Sequence, residues 1–177
     1  MTDGKSNSTL GRLFAGLSEY VFHSKLGVVD TELVDYVSDL LLRCSRLDGL
    51  MRVRQIDGQP ASQVVTMVQE AEKRVGEARR EVHRHIGDYT LFWSGVYPEA
   101  LRELRSSDST DQFVNYCAQG KRAYLIASSI RSDERSAPGS LLQRMSEQFE
   151  MCAYGLREIR REWERKDRDG GEPTLLI

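Results

Sequence analysis

Apolar positions recur every three or four residues along almost the whole chain, and no segment alternates apolar and polar residues as a half-buried strand would. Leu10, Phe14, Leu17 and Val21 form a first stripe, widened by Leu13 and Tyr20; Ser8 or Thr9 can cap its start and Gly27 can stop it. A second helix opens at Asp30, a capping residue, with Glu32 in its first turn, and should bury Leu33, Val37, Leu40, Leu41 and Cys44. Asp57-Gly58 and Pro60 mark the turn after it. Val64, Val68, Ala71, Val75, Ala78, Val82, Ile86 and Tyr89 share a narrow arc at about 100° per residue, which predicts an unbroken helix from Val64 to Tyr89 that ends between Ser94 and Tyr97.

Pro98 is suited to the first position of a short helix, "PEALRELR". After a polar loop, Phe113, Cys117, Gly120, Tyr124 and Ala127 share a face; Gly120 costs about 1 kcal/mol against Ala in mid-helix, which suggests that a neighbouring backbone comes close there. "RSDERSAPGS" is a connector, and Leu142, Met145, Phe149, Cys152, Leu156, Ile159 and Trp163 then describe one amphipathic helix of about six turns. The expectation is an all-α, single-domain bundle of five or six helices, mostly antiparallel, over residues 1–165, with 166–177 as a flexible polar tail.

Composition changes this picture little. The 177 residues carry a net charge of −2, which supplies no basic field for nucleic acid, and no apolar run approaches the roughly 18 residues of a membrane span. The opening "MTDGKSNSTLGRLF" has no apolar leader core, so a cytoplasmic protein of bacterial type is expected. Cys44, Cys117 and Cys152 are odd in number and set in apolar helical patterns, as suits reduced, buried thiols. In "LREIRREWERK" the arginines interleave with Glu158, Glu162 and Glu164, the pattern of a solvated, ion-paired helix face.

Candidate chemistry gathers in "EVHRHIGDYTLFWSGVYPE", residues 81–99. Glu81, His85 and Asp88 fall on one flank of their helix, so a divalent metal or a hydrogen-bonded acid–base strip is conceivable there, as is a plain core histidine held by neighbouring carboxylates. Glu147 or Glu150 could add further ligands. His83 faces away from His85, and Glu19 and His23 lie opposite their own apolar stripe. Tyr89, Phe92, Trp93 and Tyr97 make a dense aromatic block that is either enclosed core or the lining of a pocket. Tyr116 and Tyr124 flank Gly120, and their phenols want partners such as His85, Asp88 or Glu99.

"RHIGDYTLFWSGVYPE" followed by "YCAQGKRAYLIAS" resembles an uncharacterised family of bacterial helical proteins with a similar His-x-Gly-Asp, Leu-Phe, Gly, Pro-Glu block and a following Tyr, Gly, Ala-Tyr block. The likeness covers Arg84 to Ser128 and carries no activity with it. It implies that His85, Asp88, Gly95, Glu99, Gly120 and Tyr124 form one spatial unit.

There is no Gly-rich phosphate loop, Cys-x-x-Cys pair or nucleophile elbow. The first expectation is therefore a protein-interaction module, a homo-oligomer or a binder of another protein, with no nucleic-acid or membrane partner. The alternative is a metal- or small-ligand-binding bundle, enzymatic or not, in which Glu81, His85 and Asp88 hold a metal, or His85, Asp88, Glu99, Tyr124 and Trp93 hold a ligand.

Overall fold

The computed structural model describes residues 8–46, 63–101 and 115–169, and every regular element among them is helical. Helix α1 (Thr9–Glu19) runs into a π-helical turn (Tyr20–Lys25); then come α2 (Thr31–Cys44), α3 (Val64–Glu72), α4 (Gly76–Val96), α5 (Tyr116–Ser129), α6 (Gly139–Glu147) and α7 (Phe149–Arg168). A further helix begins at Pro98, with residues 98–101 helical. The all-α expectation holds. Asp57, Gly58, Pro60, Phe113 and residues 170–177 lie outside the described residues. The helix containing Trp163 reaches Arg168, three residues into the stretch expected to be tail.

Two elements that the sequence pattern reads as single helices are each divided. The Val64–Tyr89 spiral breaks between α3 and α4: Val75 is extended at φ −131° and Gly76 takes φ +56°, a conformation that favours glycine. Val75 is therefore 83 % exposed and Ala78 is also at the surface, although both were expected inside. Ala71 and Val82 are nonetheless buried on either side of the break, because eleven residues are close to three full turns. The last stripe is divided at Gln148, φ −103° and ψ 19°, yet all seven of its apolar residues from Leu142 to Trp163 are buried.

The helix starts follow their capping chemistry. The Ser8 hydroxyl accepts from the Gly11 amide at 3.0 Å and the Asp30 carboxylate from the Leu33 amide at 3.1 Å. The other Asp30 oxygen accepts from Arg144 at 2.8 Å, tying α6 to the start of α2.

The π turn has a packing consequence. Its i→i+5 bond, Leu26 N–H to the Val21 carbonyl at 3.0 Å, brings Phe22 round to the buried side beside Val21, and both are fully buried. Phe22 seats its ring on Gly155, where an added Cβ would lie 2.2 Å from the ring. Tyr20, expected in the stripe, is 45 % exposed. Lys25, at the end of this turn, reaches Glu162 at 2.6 Å and Glu158 at 3.5 Å, so these two α7 acids are buried and not on a solvated face.

The apolar interior has two parts. The larger joins α1, the π turn, α2, α4, α5, α6 and α7, with Phe14 and Trp163 ring centroids 5.1 Å apart. The smaller holds Val64, Met67 and Ala71 of α3 against Val82, Ile86 and Tyr89 of α4 and Tyr116 and Ala123 of α5. Helices α4 and α5 cross closely because Gly87 accepts the Tyr124 ring and Gly120 accepts Phe149 and the Thr90 hydroxyl; side chains fill the Gly120 notch, not backbone. Arg80 is fully buried, a feature no periodicity announces. Its Nε donates to the Ala127 carbonyl at 3.1 Å and a terminal nitrogen to the Ala137 carbonyl at 2.5 Å, pinning the connector after α5 to α4.

Candidate functional site

Asp88 is the hub of the buried polar structure. Tyr36 of α2 and Tyr124 of α5 donate their hydroxyls to its Oδ1 at 2.6 and 2.7 Å, and Arg43 of α2 donates to its Oδ2 at 3.0 Å. Arg43 also bonds Asp39 one turn back, at 2.8 Å. Burial pushes both phenols well above their ordinary range and the Asp88 charge adds to it, so they stay protonated donors. Burial works against the Arg43 charge, but Asp88, Tyr36 and Asp39 outweigh it and hold the guanidinium protonated. Burial and then Asp88 push the neighbouring Cys44 thiol up to about 12, so it is an inert thiol at neutral pH. With both carboxylate oxygens committed, Asp88 is equipped to lock helices together.

Glu81, His85 and Asp88 do not assemble into a metal set, because Glu81 turns to Arg84 at 3.0 Å and lies 3.8 Å from Arg80, while Asp88 points to α2 and α5. Among the described residues no three His, Cys, Asp or Glu side chains are grouped to hold a metal ion. Glu150, a suggested extra ligand, pairs with Lys121 at 2.8 Å and accepts from the Cys117 thiol at 3.5 Å. His23 bonds the Val28 carbonyl through Nδ1 at 2.5 Å.

The residues grouped by the resemblance divide. Asp88 and Tyr124 meet directly. His85 is buried with its ring 6.1 Å from Tyr89. Gly95 packs under Leu156, and Glu99 lies at the surface, ion-paired with Arg160 of α7. Trp93 sits in an aromatic row, 6.2, 5.6 and 5.8 Å from the rings of Tyr89, Phe92 and Tyr97. None of His85, Asp88, Glu99, Tyr124 or Trp93 lines the cavity between α3, α4 and α5.

The cavity lies one helix face away. About 280 Å³ in volume, it opens between α3, α4 and α5 and is graded in chemistry. Buried Val64, Ile86 and Ala123 form its apolar part, and Gln69, Glu72, Arg79 and Arg122 are exposed on its rim. Between them stands His83, 6 % exposed, whose Nε2 is buried with no hydrogen-bond partner. Burial lowers its pKa to about 4, helped by Arg79 and Arg122, so the imidazole is neutral at physiological pH.

The helical spacing turns His83 away from His85. The orientation is right, but that other face is where α3 and α5 leave room. Arg79 precedes His83 by one turn, a local signal; Arg122 arrives from a distant segment and gives none.

The chain matches no protein-family model, no curated protein and no solved structure. No helix among the described residues is long and apolar enough to cross a membrane.

Proposed function

We propose that this protein is a small-ligand-binding helical bundle whose site is the cavity between α3, α4 and α5. The observation that carries the reading is the cavity itself, about 280 Å³ with an apolar interior and a polar rim. Buried Val64, Ile86 and Ala123 give it an apolar interior, and Gln69, Glu72, Arg79 and Arg122 a polar rim, with His83 also on the wall. That combination is what a small-molecule site offers: apolar contact for affinity and a few polar groups for orientation.

The protein-interaction reading, as a homo-oligomer or with another partner, draws less support. The large apolar side chains left exposed among the described residues are Tyr20, Val29, Val75, Leu125 and Tyr154, each on a different element or connector.

A methyl-labelled NMR screen of small fragments tests the proposal. Hits should shift the methyls of Val64, Val68, Ile86 and Ala123, and Val65→Trp, at a half-buried wall position, should abolish those shifts with the fold intact. A screen in which no fragment moves those methyls overturns it.

A further inference from the structure

Resting on that reading, we infer that the ligand is a small organic monocarboxylate, its apolar body against Val64, Ile86 and Ala123 and its carboxylate between Arg79 and Arg122. Two guanidiniums and one carboxylate, Glu72, make up the charged rim, so the wall is net positive. Among the described residues neither arginine has an acid within ion-pairing distance, although most other arginines of the bundle do, such as Arg43, Arg144 and Arg160. Guanidinium is suited to gripping a carboxylate through two parallel hydrogen bonds. The deep part of the cavity has no charge to meet a second anionic group, and Glu72 repels one, which selects a monoanion with an apolar end.

Size narrows the class further. About 280 Å³ falls just below the roughly 300–1,000 Å³ of sites for drug-sized ligands, which suits a smaller molecule such as an aryl or branched aliphatic acid. His83 lies on the wall of the cavity with the two arginines. It also reports on occupancy: Arg79 and Arg122 help keep it uncharged, with Glu72 and the neutral Gln69 and Gln119 as the other polar groups on the wall, so a carboxylate set between the two arginines offsets their field and raises the His83 pKa.

The test uses the full chain with phenylacetate and phenylacetamide, probes of equal size that differ in charge. Calorimetry should find phenylacetate bound about ten-fold or more tighter, a difference of about 1.4 kcal/mol. NMR titration should show the His83 pKa raised by phenylacetate and not by the amide. Arg79→Gln and Arg122→Gln, both at exposed positions, should each remove most of the preference without unfolding the bundle. Equal binding of the two probes overturns the carboxylate assignment and leaves the cavity reading standing. So does binding of neither while uncharged fragments still shift the cavity methyls. Displacement of phenylacetate by inorganic phosphate at equal concentration also overturns it, since the site would then recognise a bare anion.

Discussion

The hydroxyls of Tyr36 and Tyr124 converge on one oxygen of Asp88, so α2 and α5 are tied to α4 through a single buried carboxylate. Asp88→Asn would leave the Arg43 guanidinium without its buried counter-charge, and removing one partner of such a pair costs about 3–5 kcal/mol. Urea denaturation should show that loss. Tyr36→Phe and Tyr124→Phe should each cost about 2 kcal/mol, and the double variant more than their sum, since only then does Oδ1 lose both phenol donors. A loss below about 1 kcal/mol in Asp88→Asn would contradict the role given to this hub.

Arg80→Met should destabilise by about 2–3 kcal/mol, because the Ala127 and Ala137 carbonyls lose their guanidinium donor. The loss should be local in character. Amide hydrogen exchange across residues 131–138 should accelerate more than that within α7, and uniform acceleration would argue that Arg80 does not pin the connector.

His83 should make the fold acid-sensitive. Its folded pKa of about 4 lies below the unfolded value near 6.5, so the unfolded state takes up the proton first as pH falls. The contribution is complete above pH 6.5 and is lost progressively as pH drops through about 4, reaching about 3 kcal/mol for 2.5 units at 1.36 kcal/mol each. Comparing wild type with His83→Asn isolates the effect from carboxylate titrations. If the two lose stability in parallel between pH 7 and pH 4, the imidazole does not sit in the environment described.

Gly155→Ala would ordinarily gain about 1 kcal/mol of helix propensity. Here the new Cβ would meet the enclosed Phe22 ring at 2.2 Å, and overpacking of this kind costs about 1–3 kcal/mol. The variant should melt lower than wild type, and Phe22→Leu in the same chain should recover part of the loss. A Gly155→Ala protein more stable than wild type would mean the ring moves aside freely.

Much of the architecture was readable because burial follows helical spacing wherever a helix runs uninterrupted: every residue expected on the α2 face and on the Leu142–Trp163 stripe is buried, though α2 also buries Val34 and Tyr36, which the stripe does not name. The α3–α4 break was hidden because a gap of near-integral turns leaves the stripe in phase, and Gly76 does not show its positive φ in a string of letters. Asp88 is one of three partners that the sequence offers the Tyr124 phenol, and its selection over His85 and Glu99 depends on a close α4–α5 crossing set by Gly87 and Gly120. The cavity was not legible. It is a void among three segments distant in the chain, and Arg79 and Arg122 read alone are ordinary surface arginines.

A wide turn holds one residue more than the tighter winding it interrupts, so the segment from Tyr20 to Lys25 stores a surplus unit of chain. Deleting one residue there should remove that surplus and let the backbone relax into regular winding, with α1 keeping its orientation relative to everything downstream. Phe14 would stay on Trp163, while Phe22, turned inward by the wide turn, would leave its glycine seat, so shortening the chain by one position there would unseat one ring and spare the rest of the interior.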